Sequence, residues 1–329
     1  MDVASIQEKI KSTTDIESIL NKRLSGTSVL CLERGELEGS IQRVDLGNVS
    51  LSLLRLNKKV AICANRNDNQ NFFSVNLSED ISYSNIAIVA QGVSIERPAV
   101  FGFNSGLKDL DLQLHAESCF CSICIQSHFL AQKLSQYNCL KVQDILNKYN
   151  IFFSDPVQSV LISYLKSFWL NVNSILSSEQ DIEGEILSIL FSCFISEVDR
   201  KVGIALNRRD RHDGALRLLS LTSTSPTEHF EVQDLCALLH QSRTSLFNGC
   251  KEKFGMSPLQ VVRSVRLHQV RHALLDFEFC AEHGIRGVVD AASYFGFVGR
   301  SHFARLYKHE FNETPRYTLS KRRLANQAF

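Results

Sequence analysis

Two twelve-residue stretches of the chain carry side chains that suit the recognition of nucleic acid. If residues 243–254 and 300–311 are helices, residues three or four apart share a face, and the polar residues gather on one side of each helix. An arginine or asparagine on such a face can present paired hydrogen-bonding groups to a guanine or adenine edge in the major groove. The candidate DNA-binding residues are Arg243, Thr244, Phe247, Asn248 and Lys251 in the first stretch and Arg300, Ser301, His302, Arg305 and Lys308 in the second.

The two stretches belong to an internal repeat. Five residues recur 57 positions later in the same or a similar type: Leu246, Lys251, Phe254, Ser257 and Pro258 correspond to Phe303, Lys308, Phe311, Thr314 and Pro315. In each copy a short helix, a turn and a second helix are predicted, which is the helix-turn-helix pattern. The helix predicted between the copies, residues 258–275, is ~27 Å long at 1.5 Å per residue. With the adjoining loops added, this length allows roughly one DNA turn between the two reading helices. Reading helices ~34 Å apart can enter successive major grooves, so the spacing predicts tandem reading of DNA.

Charge is divided unevenly along the chain, although the net charge is only +1. Residues 222–227, with the sequence TSTSPT, read as a linker. Residues 1–225 hold 22 Lys and Arg against 25 Asp and Glu, whereas residues 226–329 hold 14 against 10. The division predicts two domains, residues 1–225 and a basic domain over residues 226–329 whose two helix-turn-helix units could bind DNA.

The first 225 residues read as a β-rich module, residues 28–125, followed by a helical part, residues 127–222. Short runs rich in Val, Ile, Leu and Phe are separated by Gly, Asn and Asp and predict strands. These runs are SVLCLE, NVSLSLLRL, VAICA, NFFSVNL, IAIVA, AVFGF, LDLQLH and CFCSICI. Helical spacing then places Val157, Val160, Leu161, Leu165, Phe168, Trp169, Val172 and Leu176 on one stripe, and a further helix is predicted over residues 185–206. The fold class is therefore α+β, with an N-terminal β-barrel or sandwich followed by helices and an all-α C-terminal domain.

Two other groups of residues could bind a metal, a cluster of three cysteines and a pair of histidines. The cysteines Cys119, Cys121 and Cys124 could also sense an oxidant. Strand alternation places Cys121 and Cys124 on opposite faces, which favours structural cysteines, but a bulge at Ser122 would bring a redox- or metal-responsive regulator back as the alternative. His268 and His272 lie four residues apart on a predicted helix, a spacing that can hold a metal, although a solvated helix face near phosphate is the commoner interpretation.

Composition and motifs exclude several classes of protein. The chain of 329 residues has 44% apolar and 22% charged residues, which is ordinary for a folded protein of about two domains. No apolar run reaches the ~20 residues that a membrane span needs, and the N-terminal sequence has no secretory h-region, so a cytoplasmic protein with reduced cysteines is expected. No phosphate loop, nucleophile elbow or catalytic carboxylate pair is found, so we expect neither enzymatic activity nor a cofactor or metal.

The C-terminal ~100 residues resemble the DNA-binding domain of AraC/XylS-type bacterial transcription regulators. The residues that carry the resemblance are Ala292, Gly296, Phe297, Ser301, Phe303, Arg305, Tyr307, Lys308, Phe311, Thr314 and Pro315, with Asn312 where glycine is usual. In the first copy Asn248 and Cys250 replace a commoner Arg and Phe. The resemblance implies that residues 1–225 are a cupin-like domain that senses a signal or dimerises. It also implies a role as an activator that contacts RNA polymerase. A small-molecule or protein effector is implied as well, but the residues do not identify it.

Overall fold

The computed structural model describes residues 5–78, 88–95, 98–137, 139–153, 155–176, 181–195, 202–204 and 209–326. The chain divides into two compact units, each assembled from separate stretches of sequence. The first unit comprises residues 1–9, 39–57 and 65–207, and the second comprises residues 10–38, 58–64 and 208–329. Residues 10–38 therefore fold with the C-terminal helices. The assignment of separate functions to residues 1–225 and 226–329 stays a prediction.

The described elements are thirteen strands and fourteen helices. The strands are β1 (Ser5–Ile10), β2 (Ser25–Cys31), β3 (Gly39–Asp45), β4 (Val49–Leu56), β5 (Val60–Asn65), β6 (Gln70–Asn76), β7 (Ile88–Ala90), β8 (Val93–Ile95), β9 (Val100–Phe101), β10 (Asp109–Leu114), β11 (Ser118–Gln126), β12 (Ile151–Phe153) and β13 (Val202–Ile204). The helices are α1 (Thr13–Leu20), α2 (Ser127–Gln136), α3 (Leu140–Lys148), α4 (Asp155–Leu170), α5 (Val172–Leu176), α6 (Ile182–Ile195), α7 (Asp210–Thr224), α8 (Val232–Leu239), α9 (Arg243–Phe254), α10 (Pro258–Leu275), α11 (Phe277–Glu282), α12 (Val288–Tyr294), α13 (Arg300–Phe311) and α14 (Pro315–Asn326).

The first unit is built on a sheet whose described strands have the order β1-β3-β4-β11-β6-β9-β12-β13. Near its middle, β11 pairs antiparallel with β4 and with β6, and in a second sheet β7 pairs with β8 and β10. Cys121, Ile123 and Ile125 alternate along β11 and are fully buried in the core that the sheet shares with α2 to α6. Residues of one sheet face and of the helices thus form the core of this unit.

The second unit combines the C-terminal helices with two strands and one helix from the beginning of the chain. Strands β2 and β5 are neighbours in a sheet, and the Leu32 amide donates to the Lys59 carbonyl at 2.8 Å. Leu30 of β2 and Cys63 of β5 share one core with Leu219 of α7 and Leu246 of α9. Burial of these apolar side chains, rather than sequence proximity, joins residues 10–38 to the C-terminal helices.

The α+β class is confirmed, and of the two predicted forms of the β module the sandwich fits, because the sheets are not closed into a barrel. Every predicted strand segment has a counterpart, whereas β1, β3, β8, β12 and β13 were not predicted. These strands are short or contain polar residues, so they lack a continuous apolar run. Among the described residues, no helix is both long enough and apolar enough to span a membrane.

Two helical predictions are wrong in part. The helix predicted over residues 185–206 is α6, which ends at Ile195, and residues 202–204 form β13 because they pair with β12. Residues 196–201 and 205–208 lie outside the described part. On the predicted stripe, Val160 is exposed, and the side chain of Val157 lies outside the described part. The predicted linker is helical in its first half, since α7 continues to Thr224.

Candidate nucleic-acid interface

Two helix pairs of the second unit have the same design. Helices α9 and α13 each have 12 residues and begin 57 positions apart, as the repeat predicts. Each follows a shorter helix, α8 or α12, across a turn that contains a left-handed residue, His240 with φ 52° and Gly296 with φ 78°. Each also ends in a left-handed C-cap, Gly255 with φ 70° and Asn312 with φ 60°. Asparagine tolerates this conformation, which explains why Asn312 can stand where glycine is usual.

One face of each second helix is buried, as the spacing predicts. On α9 the buried stripe is Leu246, Cys250 and Phe254, and on α13 it is Phe303, Tyr307 and Phe311. The ring centroids of Tyr307 and Phe311 are 4.6 Å apart, and the Tyr307 hydroxyl forms a 2.8 Å hydrogen bond with the Thr318 hydroxyl of α14. Burial therefore fixes the rotation of both helices and determines which residues are left facing outward.

The first helix pair exposes four of its five candidate residues. Arg243, Thr244, Asn248 and Lys251 are exposed on α9, and Phe247 is half-buried. The Arg243 guanidinium lies 5.8 Å from the centre of the Phe247 ring, and this cation–π contact holds the arginine along the helix surface. The Lys251 ammonium donates to the Gly255 carbonyl at 3.0 Å and so binds the C-terminal end of its own helix.

The second helix pair exposes all of its candidate residues. Arg300, Ser301, His302, Arg305 and Lys308 are exposed along α13. Arg305 Nη2 lies 3.2 Å from His302 Nδ1, so a neutral His302 can accept a hydrogen bond from the arginine and orient it. The structure thus brings each predicted set of five residues together on its own helix. Their contacts with DNA stay a prediction.

Glu252 and Gly249 also shape the first helix pair, although their helical spacing does not place them among the candidate DNA-binding residues. Glu252 of α9 accepts hydrogen bonds from Arg211 Nε at 2.8 Å and His212 Nε2 at 3.1 Å, both of α7. Gly249 faces the backbone of Arg211, and a Cβ on it would lie 2.9 Å from the Arg211 carbonyl carbon. An isolated glycine inside a helical pattern was the one available signal of this close approach.

The interpretation of His268 as part of a solvated helix face is wrong. His268 is buried on α10 with its ring centroid 4.9 Å from that of Phe311, and neither ring nitrogen has a hydrogen-bond partner among the described residues. Its Nε2 lies 3.8 Å from Glu310 Oε1. Burial, reinforced by the nearby charge of Arg271, lowers the pKa of His268 to about 3. His272, four residues on, lies 3.4 Å from the Ser12 hydroxyl instead.

His268 is expected to make the protein sensitive to acid. Because its folded pKa of about 3 lies below the ordinary value near 6.5, the unfolded chain takes up a proton first as the pH falls. Stability is thus complete above pH 6.5 and is lost below it by up to about 1.4 kcal/mol per pH unit. Between pH 7 and pH 5, wild type should lose about 2 kcal/mol more unfolding free energy than His268→Leu, as measured by urea denaturation. The control His309→Gln, at an exposed position, should lose as much unfolding free energy over this pH range as wild type. Equal losses for wild type and His268→Leu would contradict the assignment of the acid sensitivity to His268.

A partly buried ionic network links α10, α14 and the turn between α13 and α14 to the segment 33–38. Arg271 of α10 is 1% exposed, and it bonds Glu313 through Nη1 and Glu36 Oε1 through Nη2 at 2.6 Å. Lys321 of α14 bridges the same two carboxylates, at 3.0 Å from Glu36 and 2.9 Å from Glu313. Burial acts to raise the pKa of Glu313, but hydrogen bonds from Thr318 and Lys321 and the charge of Arg271 outweigh it and lower that pKa. Glu313 is therefore charged when it holds Arg271.

Two of the three clustered cysteines have environments that favour a structural role. β11 is paired without interruption past Ser122, so no bulge realigns Cys121 with Cys124. The Trp169 indole donates to Cys121 Sγ at 3.4 Å, and burial raises the pKa of this thiol to about 12. Cys124 is buried on the other face of the strand. In the described part of the chain, no three His, Cys, Asp or Glu side chains are grouped as a metal site.

Comparison with known proteins agrees with the C-terminal architecture. A family model described as a helix-turn-helix domain matches residues 235–321. The regulatory protein HrpB of Ralstonia nicotianae is 32% identical over 87 residues, which are 26% of this chain and 17% of HrpB. The HTH-type transcriptional activator RhaS of Yersinia pestis is 31% identical over 108 residues, 32% of this chain and 37% of RhaS. The chain thus spans well under half the length of these relatives.

Two solved structures are also similar. A probable AraC family transcriptional regulator from Rhodopseudomonas palustris has 25% identity and covers 33% of this chain and 97% of its own, with a TM-score of 0.30. ToxT from Vibrio cholerae has 16% identity and covers 96% of this chain and 97% of its own, with a TM-score of 0.29. Because these scores are low, the assignment depends on the family model and the sequence relatives. Residues 235–321 thus match a helix-turn-helix domain, and the structure there forms two helix-turn-helix pairs, in agreement with the resemblance to AraC/XylS-type regulators.

Proposed function

We propose that this protein is a sequence-specific DNA-binding transcription regulator that reads DNA with α9 and α13. The observation that carries the proposal is the pair of equivalent helices, each with one face packed and the opposite face lined by Arg, Asn, Ser, Thr or Lys. Helices of this kind enter the major groove and present their side chains to base edges. The helix α10 between them has 18 residues and is ~27 Å long, which suits grooves one turn apart.

Base selection and affinity are assigned to different residues. Arg300, at the first position of α13, has the geometry to pair with O6 and N7 of a guanine. Lys308, in the last turn, and the exposed Arg316 of α14 suit phosphate contacts that carry no sequence information. Arg322 is a weaker candidate for phosphate, because its Nη1 already lies 3.2 Å from Cys280 Sγ. The side chain of Arg323 lies outside the described part.

Arg300→Ala and Lys308→Ala are expected to weaken DNA binding in different ways. Arg300→Ala should cost about 1–3 kcal/mol on the selected site and relax the preference at one base position. Lys308→Ala should weaken selected and random DNA alike and reduce the salt dependence of binding by about one counterion. The measurement is a titration of full-length protein with both DNAs at several salt concentrations.

Lys148→Ala serves as a charge control, since Lys148 is an exposed lysine of α3 in the other unit. It should leave both affinities and the salt slope unchanged. Equal losses on selected and random DNA for Arg300→Ala would remove Arg300 from the residues that read bases.

Control by the N-terminal part of the chain is the second component of the proposal. The Gly35 amide donates to the Glu310 carbonyl of α13 at 2.7 Å, and Glu36 binds Arg271. A signal or partner that shifts this segment would act on the second reading helix with a coupling of about 1–3 kcal/mol. The proposal also includes activation through RNA polymerase, a small-molecule or protein effector, a homodimer and a cytoplasmic location. The similarity to RhaS, a transcriptional activator, supports activation.

The competing proposal is a cysteine-based redox- or metal-responsive regulator. It needs an accessible thiolate, because the thiolate is the form that reacts with oxidants and binds metals. Burial raises the pKa of Cys121, Cys193 and Cys250 to about 12, which keeps these thiols protonated. The burial of these thiols therefore favours control by a ligand or partner.

A further inference from the structure

Val298 has an unusual environment for an apolar side chain. It lies in the turn between α12 and α13 and is 88% exposed, the highest value among the large apolar side chains of the described residues. Its neighbours on the same surface, Arg300, Ser301 and His302, are polar or cationic and are also exposed. Packing within the protein therefore does not explain why an apolar residue stands at this position.

The turn holds Val298 in a defined place. The Phe297 amide donates to the Ala292 carbonyl at 2.9 Å, and the Phe297 ring packs on Phe303 with centroids 5.2 Å apart. On the other side Gly299, with φ 82°, is the N-cap of α13, and its carbonyl accepts from the Phe303 amide at 3.0 Å. Val298 is thus fixed between two anchored residues, immediately before the helix that we propose reads DNA.

In the proposed mode of DNA reading, Val298 would lie close to base edges that an apolar side chain can recognise. In helix-turn-helix proteins the N-terminal residues of the second helix approach base edges in the major groove. A valine cannot form hydrogen bonds there, and the apolar group that base edges present is the C5-methyl of thymine. The cations Arg300, Arg305 and Lys308 on the same helix favour DNA over an apolar protein partner on this surface.

We propose that Val298 determines specificity by contacting the 5-methyl group of a thymine next to the base pair read by Arg300. The assignment rests on the proposed function, since it concerns the same DNA-reading surface. It adds one base preference, thymine over cytosine or uracil, that hydrogen-bonding residues of α13 do not supply. The energetic source is removal of the valine side chain and the thymine methyl from water.

The test uses DNA in which single thymines of the selected site are replaced by deoxyuridine, which removes the methyl group and nothing else. Wild-type protein should bind about three- to fivefold more weakly when the contacted thymine is replaced, the size expected for one buried methyl group. Val298→Ala should bind the thymine site with a similar loss and should no longer distinguish thymine from deoxyuridine at that position. Val289→Ala, at an exposed valine of α12, should keep the wild-type discrimination.

The possible outcomes separate this assignment from the proposed function. If Val298→Ala keeps the full deoxyuridine penalty at every thymine, or if wild type shows no penalty at any thymine, the assignment is overturned while DNA reading stands. If wild-type protein selects no DNA sequence, both fail. Because Val298 is exposed, its replacement should leave the unfolding midpoint unchanged, which a thermal melt verifies.

Discussion

Replacement of Arg271 by leucine should lower the free energy of unfolding by about 3–5 kcal/mol, the usual cost of breaking a buried ion pair from one side. Arg271 is 1% exposed and binds both Glu313 and Glu36. Its guanidinium carbon also lies 5.1 Å from the centre of the Phe311 ring. A leucine at this position fills space but leaves the charge of the mostly buried Glu313 balanced by Lys321 alone within this network.

Arg263→Leu is the matched control, because Arg263 is exposed on the same helix α10. Its effect should stay within about 0.5 kcal/mol, as for other surface substitutions. Urea denaturation of the full chain, followed by circular dichroism, measures both variants. A loss below about 1 kcal/mol for Arg271→Leu would show that the network contributes little to the second unit.

Replacement of Gly249 by alanine is the second large effect, about 1–3 kcal/mol of destabilisation from overpacking. Helices α7 and α9 approach so closely at this residue that a Cβ would overlap the carbonyl oxygen of Arg211. The obstacle is backbone, so the helices must move apart, and this outweighs the better helix propensity of alanine. Displacement of α9 should also reduce affinity for the selected DNA site.

Gly287→Ala provides the control for a glycine without such a contact. Gly287 has φ −175°, an extended conformation open to any residue, and nothing lies within 4 Å of a Cβ built on it. Because Gly287 is the N-cap of α12, where alanine is less favourable than glycine, this variant should lose less than about 1 kcal/mol of stability and keep wild-type DNA affinity. A Gly249→Ala protein as stable as Gly287→Ala would show that α7 and α9 have room to adjust.

The repeat and its reading faces could be predicted because they depend on local sequence. Helical spacing alone placed Leu246, Cys250 and Phe254 inside and Arg243 and Asn248 outside, and the structure has this arrangement. The 57-residue offset then transferred the same division to α13. The predicted 18-residue helix between the copies is α10 with the same bounds.

Features that depend on distant parts of the chain could not be predicted in this way. His268 resembles a surface residue in sequence, but packing against residues distant in sequence, such as Phe311, makes it buried. The partner of Arg271 in the segment 33–38 is 235 residues away, so no helical period relates the two. Strands such as β12 and β13 have three residues each and become strands because they pair with each other.

In the proposed function, two helices of one chain read two adjacent segments of DNA. The most direct measurement is selection of binding sites from random DNA by the full-length protein, followed by sequencing of the bound pool. We expect an enriched asymmetric site with two conserved blocks whose centres lie about 10 base pairs, one helical turn, apart. Enrichment of a single block, or of no sequence at all, would contradict tandem reading by α9 and α13.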